Sequence, residues 1–170
     1  MMAKRVVVMG VLGGLASAAI AWAAPPEAPK YVGAEPSTPK SMELATRAAT
    51  AEMNGDPQAA LHLADRAIAA EPRDPWPHYD RAMALAQIGE IDRALESFAA
   101  AEQRFAANDR WGISVAIYGR AHALSQAGRC DEARQAFGAY ASLVREQDPK
   151  SAAMAERYGA NCRPPTTRAP

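Results

Sequence analysis

The chain has 170 residues, a length that fits one domain of ordinary size, and its 19 basic side chains are balanced by 19 acidic ones. That balance, with no cluster of lysine or arginine, excludes the electrostatic footprint of a nucleic-acid binder and offers nothing to an anionic surface. The apolar share of 49% is inflated by alanine, whereas aromatics supply only 6%, so any core must consist of small residues in close helix contact.

Lys4 and Arg5 precede an uncharged, mostly apolar run over 6–20, and Ala21-Trp22-Ala23 then supplies the small residues of a cleavage site. This predicts a secretory signal peptide over 1–23, cut between Ala23 and Ala24. The apolar run is shorter than the roughly 20 residues that cross a bilayer, so no membrane span is expected after cleavage. No cysteine stands near the cut, so a lipid anchor is not indicated. The expected location is the periplasm, ahead of a signal-anchored or extracellular one. Loss of Lys4 and Arg5 leaves 17 basic against 19 acidic residues. Prolines 25, 26, 29, 36 and 39 remove backbone donors and bias their predecessors away from helix, which predicts a disordered, extended tether over 24–40.

Helical patterning starts at Ser41, a candidate N-cap, and runs to Asn54-Gly55. Asp56-Pro57 opens a second helix, an acceptor followed by a residue with no N–H to satisfy, and this helix ends near Glu71. Asp74-Pro75 repeats that start, predicting a helix over Pro75–Gln87. After a turn at Gly89, Ile91, Ala94, Leu95, Phe98, Ala101 and Ala106 form an apolar stripe at helical spacing. Asn108-Asp109 breaks it. Two longer helices follow, from about Asp109 to Gln126 and from Cys130 or Asp131 to about Glu146. Gly119, inside the first of them, is expected to mark a close approach of backbones. Asp148-Pro149 opens a last helix to about Ala160, with Ala152, Ala153, Met154, Ala155 and Tyr158 as its apolar residues. The proline- and threonine-bearing tail 163–170 frays.

Three stretches share one punctuation: Gly55, Ala60, Ala64, Ala67; Gly89, Ala94, Phe98, Ala101; and Gly128, Ala133, Phe137, Tyr140. Their glycines lie 34 and 39 residues apart, a period that signals stacked supersecondary units. Over roughly Ser41 to Arg145 the chain resembles the tetratricopeptide repeat, a pair of antiparallel helices with small residues where they cross. The resemblance places those small residues at Ala48, Ala82 and Ala121 in first helices, and at Ala60 with Ala67, Ala94 with Ala101, and Ala133 in second helices. It implies an all-α, right-handed helical-hairpin solenoid over 41–162. Its repeats fall at about 41–74, 75–108 and 114–147, and a capping helix at 149–161. Two departures stand out. Leu44, His78 and Ile117 replace the family's tryptophan, and Arg47, Arg81 and Arg120 replace its leucine.

Cys130 and Cys162 lie beyond the signal in a chain bound for an oxidising space. Helices rising about 1.5 Å per residue, one running out from Cys130 and the next returning antiparallel, bring Cys162 back level with Cys130 and predict a disulfide. No Cys-x-x-Cys, Gly-x-Ser-x-Gly or phosphate-cradling glycine signature occurs, and His62, His78 and His122 lack metal-ligand spacing. The expectation is therefore a non-enzymatic chain with no catalytic residue, no metal and no cofactor.

In tetratricopeptide proteins the first helices line a concave groove. The matching positions here are Met42, Ala45 and Ala49; Trp76, Tyr79, Met83 and Gln87; and Val115, Tyr118, His122 and Gln126. Trp76, Tyr79, Met83, Gln87, Tyr118, His122 and Gln126 are the candidate partner-binding residues, with Tyr79 and Tyr118 as neighbours and Met83 and His122 as the next row. The lysine and asparagine clamp with which chaperone-binding repeats hold a carboxylate tail is absent. Trp111 is expected to cover the joint between repeats. The reading is an exported scaffold that binds a protein or peptide in this groove; the alternative is a structural joint in a cell-envelope assembly, near peptidoglycan.

Overall fold

The computed structural model describes residues 38–164; the expected signal peptide at 1–23, most of the expected tether at 24–40 and most of the expected tail at 163–170 lie outside the described residues. Seven helices follow in order: α1 (Pro39–Met53), α2 (Pro57–Ala70), α3 (Pro75–Gln87), α4 (Ile91–Arg104), α5 (Arg110–Gln126), α6 (Cys130–Val144) and α7 (Pro149–Asn161).

Aspartates start four of them. Asp56, Asp74, Asp109 and Asp148 accept hydrogen bonds from the backbone N–H groups of Ala59, Trp76, Gly112 and Ser151 at 2.9–3.1 Å. Each such cap contributes about 1 kcal/mol and places negative charge at the positive end of the helix dipole. The first helix departs from expectation. Thr38 is its cap, accepting from Ser41 N at 3.2 Å, and Pro39 occupies the first turn. Ser41 is buried instead, and its hydroxyl donates to Asp74 Oδ2 at 3.1 Å, so the carboxylate that caps α3 also holds the start of α1.

The turn inside each hairpin is one device used three times. Gly55, Gly89 and Gly128 have φ of 75°, 84° and 71°, the left-handed region where a Cβ is strained. The residue after each glycine reaches back to the carbonyl five positions earlier, as in Asp56 N to Ala51 O, Glu90 N to Leu85 O and Arg129 N to Leu124 O, all at 2.9 Å. These bonds close three Schellman motifs and satisfy carbonyls that the helix ends leave free.

Three hairpins result, α1–α2, α3–α4 and α5–α6, stacked in sequence through α2 on α3 and α4 on α5, with α7 against α6. The expected crossing alanines, Ala48, Ala60, Ala67, Ala82, Ala94, Ala101, Ala121 and Ala133, are all buried, as is Ala64. Around them sit Phe98 and Phe137, both fully buried, each worth roughly 2–3 kcal/mol of transfer from water.

Two glycines of α5 make room for rings rather than for backbone. A Cβ on Gly119 would stand 2.7 Å from the Phe98 ring and 3.2 Å from the Tyr79 ring, and one on Gly112 would meet the Phe105 ring at 2.3 Å. The expected backbone approach occurs instead at Gly159, where a Cβ would stand 3.2 Å from Arg134 Cα. That contact sets which face of α7 is inward: Ala152, Ala155 and Gly159 are buried, whereas Ala153, Met154 and Tyr158 are exposed. Cys130 and Cys162 form the expected disulfide, with Cα atoms 5.4 Å apart.

Candidate binding groove

On α3, Trp76, Asp80, Met83 and Gln87 recur at i, i+4, i+7 and i+11, one stripe along the side that faces α1 and α5. Trp76 is half-buried at its upper end. Its ring meets Phe105 at 5.0 Å, Trp111 at 5.1 Å and Tyr79 at 5.9 Å between centroids, mostly edge to face. Trp111 thus closes the joint between second and third repeats, as expected. Tyr79 packs further on Phe98.

Tyr118 belongs to a second group. It meets His122 at 4.5 Å, Tyr140 at 4.9 Å and Phe137 at 6.0 Å, and His122 in turn touches Phe137 and Tyr158. Among the described residues no ring contact joins Tyr79 to Tyr118; the Tyr79 ring lies instead over Gly119. Met83 is a buried core residue, in one cluster with Leu85, Ala94, Phe98 and Ala123. Val115 is buried too. Gln87 and Gln126 are exposed at the lower end, where Gln87 Nε2 donates to Glu52 Oε1 on α1 at 2.8 Å. The sequence-assigned residues therefore fall into an aromatic rim at α3, an aromatic cluster at α5–α7, and an amide end.

Burial shapes the titration of these groups. The Tyr118 hydroxyl is pushed up to about 12 by burial, with Tyr158 and Tyr140 adding to it. The Tyr79 hydroxyl is driven up further, first by burial and then by the negative charges of Glu52 and Asp80. Burial brings His122 down to about 4, so the ring is neutral at pH 7.

Two acids on this side, Glu52 and Asp80, belong to no motif in the sequence. Asp80 stands between Trp76 and Met83, and that spacing was the available signal. It is almost wholly enclosed by protein atoms while solvent still reaches part of it, as at the floor of an open trough. Burial, then the neighbouring charges of Glu52 and Asp74, hold its carboxyl well above the usual carboxylate range. Burial also raises Glu52, against the pull of its bond from Gln87. Among the described residues no group of histidine, cysteine, aspartate and glutamate could hold a metal ion.

Residues 51–113 match the family model described as the tetratricopeptide repeat. Over that stretch the chain is similar to the tetratricopeptide repeat. Two solved tetratricopeptide structures share its fold. One is the second such domain of human RPAP3 in complex with the HSP70 peptide SGPTIEEVD, 21% identical with a TM-score of 0.59, covering 71% of this chain and 95% of that one. The other is the TPR2B domain of yeast Sti1 in complex with pHsp70, 16% identical with a TM-score of 0.61, covering 71% and 96%. A search of curated proteins finds no match.

Within the tetratricopeptide frame the two departures have physical explanations. Arg81 replaces an apolar residue but reaches back to the preceding hairpin, donating to Asp65 Oδ1 at 2.8 Å, and also donates to Ser97 Oγ of its own hairpin at 2.6 Å. Arg120 likewise reaches the preceding hairpin, donating to Glu102 Oε1 at 2.8 Å. Arg47 has no preceding hairpin among the described residues and pairs with Glu43 on its own helix. His78 replaces tryptophan and ties down the turn before α3: its Nε2 lies 3.1 Å from Pro72 O, which also accepts from Arg104 Nε at 2.9 Å.

Proposed function

We propose that this protein is an exported, non-enzymatic scaffold that binds a protein or peptide segment along the concave side of α1, α3 and α5. The observation that carries the reading is the open trough itself: half-buried Trp76, Tyr79 and Tyr118 beside exposed Gln87 and Gln126 on successive first helices, which no eighth helix covers among the described residues. Aromatic rings held rigid by neighbouring rings are effective anchors, since little side-chain entropy remains to be lost on binding. Of the two domains of the same fold described above, that of RPAP3 holds an HSP70 peptide and that of Sti1 is in complex with pHsp70. Export is supported by the signal pattern at 1–23 and by the Cys130–Cys162 bond, which suits an oxidising compartment. Among the described residues no helix is long and apolar enough to cross a membrane.

Crosslinking in the native envelope, followed by identification of what is captured, supplies the partner for a binding assay. Tyr118→Ala should then weaken binding by roughly 2 kcal/mol, as at interface hot spots. Because Tyr118 also packs on Phe137 and Tyr140, exposed Gln87→Lys provides a second variant that obstructs the trough without opening the core. Arg134→Ala, on an exposed side chain, should do little. Full binding by both trough variants would place the partner on another surface.

A further inference from the structure

The position-by-position charge of the trough specifies what kind of segment it accepts. On the faces assigned to it, Met42, Ala45, Ala49 and Glu52 on α1, Trp76, Tyr79, Asp80, Met83 and Gln87 on α3, and Val115, Tyr118, His122 and Gln126 on α5, the carboxyl groups are those of Glu52 and Asp80. Lysine and arginine are absent from these positions, and the basic residues of α3 and α5 have partners elsewhere: Arg81 pairs with Asp65, Arg120 with Glu102, and Arg110 donates to Leu143 O. His122 is neutral.

Asp80 is the unusual member. Among the described residues it makes no hydrogen bond and no ion pair, although it is enclosed on the stripe between Trp76 and Met83. A carboxylate at such depth ordinarily has a cation or several N–H donors as partners, because enclosing the charge without them is costly. Asp74, by comparison, has the Trp76 amide and the Ser41 hydroxyl. Capping does not explain Asp80 either, since it lies mid-helix. Its surroundings favour one class of partner: the π faces of tyrosine and tryptophan attract cations, and Glu52 adds a second negative charge one helix away.

We propose that the trough binds a partner peptide through a lysine or arginine side chain that pairs with Asp80, its aliphatic stem lying along Tyr79 and Trp76 and its charge supported by Glu52. This rests on the peptide-binding reading above and adds the sign of the ligand. It is opposite in sign to the HSP70 peptide SGPTIEEVD of the RPAP3 complex, with its two glutamates and terminal aspartate. Burial without a counter-ion favours the neutral carboxyl in the free protein, and an arriving cation favours the ionised form; replacing Asp80 by asparagine keeps the shape and removes the group that can ionise, so a role for that carboxylate predicts lost binding with no loss of stability.

The test uses fluorescently labelled, end-capped hexalysine and hexaglutamate peptides with the full mature chain, read by anisotropy at low salt and by amide chemical shifts. Hexalysine should bind, shift the amides around Tyr79, Asp80 and Glu52, and lose at least tenfold in affinity with Asp80→Asn while the melting temperature does not fall. Glu52→Gln should cost less. Unchanged hexalysine affinity in Asp80→Asn overturns the proposal. So do trough shifts caused by hexaglutamate instead, an outcome that leaves peptide binding standing and reverses the sign. Shifts from neither peptide overturn both readings together. If Lys30→Gln alone moves the Asp80 amide in the absence of peptide, the chain's own segment before Thr38 is the occupant and the partner proposal fails.

Discussion

Gly119 shows how one missing side chain organises its surroundings, because its hydrogen faces the Phe98 and Tyr79 rings where any larger group collides. Alanine is the better helix former by about 0.5–1 kcal/mol, yet overpacking a filled core costs about 1–3 kcal/mol. Gly119→Ala should therefore destabilise the protein by about 1 kcal/mol net in denaturant melts, and a gain in stability would show that Phe98 swings away freely. His122 gives a pH dependence. Its folded value near 4 lies below the ordinary 6.5, so the unfolded chain binds the proton more readily between those values. The stability tied to the neutral ring is present above about pH 6.5 and is lost as pH falls toward 4. Asp80 and Glu52, raised in the fold, bias the other way, so the measurement is a difference. The wild type should lose stability relative to His122→Phe between pH 6.5 and 4, and parallel curves would remove the ring from the account.

At the level of helices, the arginines that replace the family's leucine act as ties between hairpins. The Arg120–Glu102 pair is partly buried on both sides, so removing one partner leaves an enclosed charge without its counter-ion. Glu102→Ala should cost about 1–2 kcal/mol, whereas Arg120→Leu, which fits an apolar side chain into the same gap, should cost less or stabilise; thermal melts of both check the order. Much of this level was legible in advance. Aspartate-proline starts and glycine stops located α2 and α3 closely because capping is local, and the crossing alanines followed from the period. Ser41 was misread because its partner, Asp74, lies 33 residues away and gives no local signal. Met83, Val115, Ala153 and Tyr158 were misplaced for a related reason: helical period fixes which residues share a face, but neighbouring helices decide how much of that face is covered. Asp80 was overlooked because an acid on a helix normally faces water, and only its enclosure marks it out.

The whole molecule carries a cross-link near its C-terminal end. A bond spanning 32 residues restricts the unfolded chain by about 3–4 kcal/mol in the loop-entropy model. Replacing Cys130 and Cys162 by serine should lower stability by about that amount, with the trough helices still formed by circular dichroism. Export has its own readout: mass spectrometry of the mature protein should find Ala24 at the N-terminus, and an intact Met1 would make the segment an anchor.

Because each hairpin touches only its neighbours, opening can travel along the molecule like a zipper, and the two ends of this zipper are unequal. Cys162 fastens the last residue of the array to the first of α6, so α7 cannot peel away without dragging α6 with it. At the other end, α1 is held against α3 by the Ser41–Asp74 and Glu52–Gln87 contacts. Unravelling should run from α1 toward α7, with amide exchange fastest in α1 and α2 and slowest in α5 and α6. Reducing agent should erase that polarity. In a reducing environment the protein would then fray from both ends, making its array one whose mechanical direction is set by the redox state around it.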